Sequence, residues 1–571
     1  LRGQPDRIVL IMASTVHDLV VRGGVVVDGT GSPPRRADVA ITGRRIVAIG
    51  ADLRGMRELD ASGCVVAPGF IDIHTHYDAQ VFWDPSLTPS SFHGVTTVVA
   101  GNCGFSIAPM APEHRETIVK TLERVEDMNP ATLEAGIPRD FASFPEYLAS
   151  VARHGAGLNF AAYVGHSAVR LHVMGDDASA RAATPDEIAR MAALVTDAMQ
   201  HGAAGFATSR SVTHRGGDGR PVPSRLAEPA ELLALFAAAG ATRRGVVEIT
   251  TGDFDEIEAL YALQPAIGVP ITYAPLLTTE SGNHWRLLEL NRRGHDAGAQ
   301  VWPQVTCRPV VFSMTLAQPF TLNPNPAFAR LAGGSIEARR AAYADPAWRA
   351  EALREWEVMG DLAPRWKTYE IMESTAHPEL DDRRLLAVAA ERGCDPFDLT
   401  LDLALDEPDL ELRVRCVLMN DDTEALETIL RDDTCAIGIS DAGAHVGMLC
   451  DAPVPTDFLG SWVRDKQLLP IEAAVRRLTG AQADLFNFAD RGYLRVGACA
   501  DVVVFDPATI APGPLRRICD FPANGERITA DSPVGVRHVL VNGTPIRIDE
   551  TAVHIDGAQP GQLLAPAERH N

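Results

Sequence analysis

Two rhythms of apolar and polar positions share this chain. From residue 17 to 67, short stretches at 17–22, 24–28, 37–41 and 45–49 alternate apolar with polar and are separated by glycine-rich turns. Period-two alternation predicts half-buried strands. The same texture returns after residue 490, at 500–506 and 537–543. Neither end is long enough for a sound core. Residues 12–67 and 491–560 are therefore expected to form one composite β-sandwich from both termini.

Residues 68–490 run differently, as an apolar strand followed by a helical stretch, repeated. Buried strands are predicted at 70–76, 95–100, 158–164, 204–208, 246–250, 270–274, 300–305 and 435–440. One intervening helix opens on Thr184 as a cap, Pro185 in the first helical position and acidic Asp186 and Glu187 in the first turn. Eight alternating units predict an α/β fold, a parallel (β/α)8 TIM barrel, with its chemistry at the C-terminal ends of the strands. Insertions near 104–156 and 307–375 are long for barrel loops, and each reads equally as a lid over a site or as surface decoration.

The strand ends carry the candidate chemistry. Strand one reads Phe70-Ile-Asp-Ile-His74-Thr-His76. Alternate side chains share a face, so His74 and His76 can reach one metal ion through neutral imidazole nitrogens. Taken alone, the pair is equally two histidines at a polar strand end. Strand two ends in Gly101-Asn-Cys103-Gly104, where a thiolate could bind a borderline metal or the cysteine could be inert core. His166 and Arg170 follow strand three, and Arg210 follows strand four. These groups suit an anionic substrate, or plain loop hydrogen bonding. Glu248 lies on strand five and Tyr273 on strand six. Asp441 leaves the otherwise apolar strand eight, a costly place for a carboxylate without a cation beside it.

Composition narrows the partners. The chain has 571 residues, 46% hydrophobic and 22% charged, as in a multidomain globular protein. A net charge of −23 disfavours nucleic acid and anionic membranes. No apolar run approaches a bilayer span. Nine scattered cysteines without CxxC pairs fit a reducing cytoplasm better than a disulfide framework. Residues 1–11 read as a tag remnant or upstream extension ahead of a start at Met12. Only three lysines occur, Lys120, Lys367 and Lys466, none at a predicted strand end.

The runs 67–78, 94–104 and 165–170, with Ser440-Asp441 and the closing 497–506, together resemble the amidohydrolase superfamily and its D-aminoacylase (N-acyl-D-amino-acid deacylase) branch. The resemblance spans residues 17 to about 545. It implies a divalent metal, with zinc the expected ion, held by His74, His76 and Asp441, with Cys103 replacing the carbamylated lysine used elsewhere in the superfamily. The family's usual histidines on strands five and six are absent here, where Glu248 and Tyr273 stand. A mononuclear site of His74, His76 and Asp441 with Cys103 near is expected, or one in which Glu248 substitutes for an imidazole, with one or two ions in all. The implied reaction is hydrolysis of the amide of an N-acyl (D-)amino acid. Asp441 would act as general base, His166 or Tyr273 would stabilise the oxyanion, and Arg170 or Arg210 would hold a substrate carboxylate. Two alternatives stay open: a hydrolase of cyclic amides or imides on the same scaffold, and a non-catalytic barrel that has lost part of its metal site. The partner is a small molecule, and a homo-oligomer is left open.

Overall fold

The computed structural model describes residues 16–216 and 219–570. The extension at 1–11 and a start at Met12 lie outside the described residues. Eight parallel strands follow one another around a curled sheet in chain order: β1 (Phe70–Thr75), β2 (Val95–Ala100), β3 (Asn159–Gly165), β4 (Gly205–Ser209), β5 (Val246–Thr250), β6 (Ile271–Ala274), β7 (Val301–Val305) and β8 (Ala436–Ile437). The two edges meet just beyond β8. Thr75 bridges Ala442 in parallel, the Asp441 N–H donates to His74 O at 3.1 Å, and the His76 N–H donates to Ala442 O at 2.7 Å. This closure gives a barrel and sets His74, His76 and Asp441 side by side before any side chain is considered.

The strands are buried along their length because helices cover them. Pro185–Gln200 begins with a full capping box between Thr184 and Glu187. Helices Pro229–Gly240, Phe254–Ile267 and Asn283–Asp296 follow β4, β5 and β6.

Two insertions change the barrel mouth. Between β2 and β3 come helices Arg115–Glu126, Pro130–Gly136 and Phe144–His154. Their apolar residues Ile118, Leu122, Leu133, Phe144 and Val151 merge with the barrel core. Between β7 and β8 the chain builds a three-stranded antiparallel sheet from Val310–Thr315, Glu370–Glu373 and Arg413–Met419, with Arg413–Met419 in the middle. Around it lies a core of its own, containing Phe328, Tyr343, Trp356, Tyr369 and Phe397. This unit reaches Met419, well past the 375 read from composition.

The termini also combine. Val65–Pro68 pairs antiparallel with Val502–Phe505 inside a seven-stranded sheet that holds both N- and C-terminal strands. A four-stranded sheet of N-terminal strands shares an apolar cluster with it, including Val21, Val39, Ile41, Val502 and Leu540. Among the described residues, no helix is long and apolar enough to cross a membrane.

Candidate metal centre

At the end of β1, the His74 and His76 rings lie 5.5 Å apart, and both are buried. Cys103 arrives from the turn after β2. Gly101 and Gly104, at φ +83° and +74°, carry the backbone around that turn, and an added Cβ at either would come within about 3 Å of the neighbouring backbone. Cys103 itself is held at φ 57°, in the left-handed region that L-residues avoid. Asp441 and His445 stand there too, at 52° and 48°. Strained positions of this kind persist where the surrounding structure over-determines them, and they gather at functional sites.

The distances match the needs of one cation. His74 Nε2 is 3.5 Å from Cys103 Sγ. Asp441 Oδ1 is 3.4 Å from His74 Nε2 and 3.1 Å from His76 Nε2. The ligand atoms of His74, His76 and Cys103 all lie within 4.8 Å of one another. In a tetrahedral zinc site, bond lengths of about 2.0–2.3 Å put nitrogen and sulfur ligands about 3.3–3.6 Å apart. The donor set and its spacing therefore fit a divalent ion.

Both rings are held from behind. His74 Nδ1 donates to Gln304 Oε1 of β7 at 2.6 Å, which turns the Nε2 lone pair toward the cluster. His76 Nδ1 stands 3.1 Å from the carboxylate of Glu126, at the end of the insertion helix. Burial disfavours charged imidazoles, yet the negative groups around them prevail. Cys103 and Asp441 at His74, and Glu126 and Asp441 at His76, push both rings well above the ordinary histidine range. Burial likewise opposes ionisation of Asp441, but hydrogen bonds from the two imidazoles hold it well below the usual carboxylate range. The pocket is built to hold positive charge, as protons on the rings or as a metal that displaces them.

The remaining candidates stand elsewhere. Glu248 is buried with Oε2 accepting from the Cys103 N–H at 3.0 Å, and burial pushes its carboxyl up to about 7. It braces the cysteine turn; the compact group of His74, His76 and Cys103 includes neither Glu248 nor Asp441, and Asp441 joins it through its contacts with the two imidazoles. His166 uses both ring nitrogens, on Thr208 Oγ1 and Glu231 Oε1, each at 2.8 Å. Arg170 is fully buried, paired with Glu231 and bonded to the carbonyls of Ala178 and Arg181. Arg210 pairs with Glu256 and donates to the carbonyls of Arg225 and Ala227. Tyr273 is buried beside Tyr261 of helix Phe254–Ile267. None of these four lines the cavity at the barrel mouth. The polar groups of His166, Arg170 and Arg210 are taken up by partners within the protein, whereas the buried Tyr273 hydroxyl has none among the described residues.

That cavity, of about 220 Å³, is walled by Phe312, Phe320, Tyr369, Leu418 and Met419 from the second insertion and by Thr213, His214, Arg215 and His445. His445 joins it to the cluster: its Nε2 is 3.8 Å from Asp441 Oδ2, and its ring packs edge-on against Phe312 and Phe320. Sequence reasoning missed Gln304, Glu126, His214 and His445 as participants. Gln304 was signalled by a polar residue at the end of an apolar strand, and His445 by its place four residues after Asp441. Glu126, in an ordinary amphipathic helix, sends no such signal.

Comparisons with known proteins place the chain in a family. A family model described as Amidohydrolase family matches residues 57–547. An N-acyl-D-glutamate deacylase of Alcaligenes xylosoxydans xylosoxydans is 32% identical, over 96% of each chain. A D-aminoacylase of the same organism is 31% identical over 97% of this chain and 98% of its own. Among solved structures, N-acyl-D-glutamate deacylase from Bordetella bronchiseptica, in complex with zinc and a phosphonate mimic of the tetrahedral intermediate, is 28% identical, with TM-score 0.68 over 96% of this chain and 100% of that one.

Proposed function

The chain belongs to the amidohydrolase family, it is a metal-dependent hydrolase of carbon–nitrogen bonds other than peptide bonds, and from that premise we propose that it deacylates N-acyl-D-amino acids with apolar side chains. The observation that carries this reading is the convergence of two imidazoles, a thiol and a carboxylate beside one largely apolar cavity. Two nitrogens with sulfur and oxygen suit zinc. The ion would be held by His74, His76, Cys103 and Asp441, and when bound it supplies Lewis acidity and a more acidic water.

The chain's own groups supply the rest. Asp441 takes the proton of the attacking water and returns it to the leaving nitrogen. Ser209 Oγ accepts from the Ser211 N–H at 3.2 Å and lies 2.6 Å from His214 Nδ1, to which its hydroxyl donates in the proposed arrangement. That arrangement puts the His214 ring hydrogen on Nε2, at the cavity wall. Burial lowers this histidine to about 4, so it is neutral near pH 7 and donates to the carbonyl oxygen as charge develops there. Arg215 takes over the carboxylate-holding role first read for Arg170 and Arg210. The aromatic and aliphatic wall favours an apolar side chain and excludes water. The second insertion serves as a lid, and the two terminal sheets form a separate sandwich domain. Nine free cysteines suit a cytoplasmic enzyme.

A panel of N-acetyl-D- and L-leucine, methionine, glutamate and aspartate, with cyclic imides, tests the proposal. The D-leucine and D-methionine derivatives should give the highest kcat/KM, and Arg215→Met should raise KM for them. Faster turnover of a cyclic imide or of the glutamate derivative would refute it.

A further inference from the structure

Glu126 is a buried carboxylate at the last residue of helix Arg115–Glu126, 2% exposed. Two physical terms oppose that placement. Burying a charge is costly, and the C-terminal end of a helix repels negative charge. Yet the helix is firmly seated. Ile118, Val119 and Leu122 sit in the barrel core, and Arg115, at the other end, donates to the carbonyls of Ile137 and Pro138. The chain then turns at Asp127, at φ 52°, and Met128 is buried again. What offsets the cost is His76 Nδ1, 3.1 Å from Glu126 Oε1.

We propose that Glu126 is a positioning residue of the metal centre: the insertion between β2 and β3 carries it onto His76, where it fixes the ring with Nδ1–H donated and Nε2 aimed at the cation. The inference rests on the reading of His76 as a ligand. The two histidines are thereby held asymmetrically. His74 leans on the amide of Gln304 and His76 on the carboxylate of Glu126. Residues 115–126 become part of the site, not decoration over it.

The test compares the holoenzyme with Glu126→Gln and Glu126→Ala. Zinc affinity is measured by competition with a chromophoric chelator, cobalt-substituted protein is followed through its visible d–d bands, and the thermal midpoint is taken for each apoprotein. Glu126→Gln keeps an acceptor of the same shape and removes the charge. The expected result is a loss in metal affinity of about 10- to 100-fold, larger for alanine than for glutamine, with altered cobalt bands. KM should stay near that of the parent while kcat falls. Apoprotein midpoints that drop while both variants hold zinc within twofold of the parent would overturn the proposal and leave Glu126 a structural anchor. A parent protein that takes up no stoichiometric metal, or a His76→Ala variant that takes it up normally, would instead sink the ligand reading beneath it.

Discussion

Gln304 on β7 accepts a hydrogen bond from His74 on β1, with 2.6 Å between Oε1 and Nδ1. The amide is itself oriented, because Gln304 Nε2 donates to Thr272 Oγ1 on β6 at 3.1 Å. Three strands thus cooperate to set one tautomer. Gln304→Leu keeps the bulk and removes the acceptor, and metal retention should weaken about 10- to 100-fold. Equilibrium dialysis against zinc reads this directly; unchanged retention would show that His74 needs no such support.

Asp441 touches both imidazoles and faces His445, and the proposed reaction makes it the base. Asp441→Asn preserves shape and cannot take a proton. We expect kcat to fall about 10²- to 10⁴-fold with the fold intact by circular dichroism. Near-normal turnover would remove Asp441 from the base role.

The His166–Arg170–Glu231 cluster is expected to act on stability, not on substrate. Glu231→Gln leaves the Arg170 guanidinium buried beside a neutral amide, where it faced a carboxylate before. Breaking a buried pair in this way costs about 3–5 kcal/mol, read as a lower denaturant midpoint. KM of the surviving folded protein should be unchanged. A variant of normal stability with weakened substrate binding would return Arg170 to the binding site.

His93 gives a pH signature remote from the metal centre. It is buried between Thr456 Oγ1 and Ala530 O, and burial lowers it to about 3, against 6.5 for an ordinary histidine. Below 6.5 the unfolded chain binds a proton that the folded chain refuses. This contribution to stability is complete above pH 6.5 and is lost as pH falls toward 3, with a slope of about 1.4 kcal/mol per pH unit. His93→Gln should flatten the acid limb of the stability curve by that slope. Parallel curves for parent and variant would contradict the buried, neutral assignment.

Much of the barrel was legible because each strand is a short apolar run ending in a turn, and period-two alternation marks the sheets at the termini. The pair His74 and His76 was legible because strand geometry puts alternate residues on one side. Cys103 was legible through its flanking glycines, and Asp441 because a carboxylate at the end of an apolar strand demands a reason. His166, Arg170 and Arg210 show where such reasoning stops. A polar residue at a strand end can face the cavity or a buried partner, and Glu231 and Glu256, which claim the two arginines, lie in the helical layer.

The local pattern by itself determined the alternation of strands and helices, the imidazole pair and the distant aspartate, because these follow from backbone periodicity and the cost of burying charge. Only the folded chain decided that Glu126 and Gln304 stand behind the two rings, that His214 and His445 line the cavity, and that Arg170 is walled in. Those relations join residues up to hundreds of positions apart, and it is barrel closure and the seating of the insertions, not any local spacing, that bring them together.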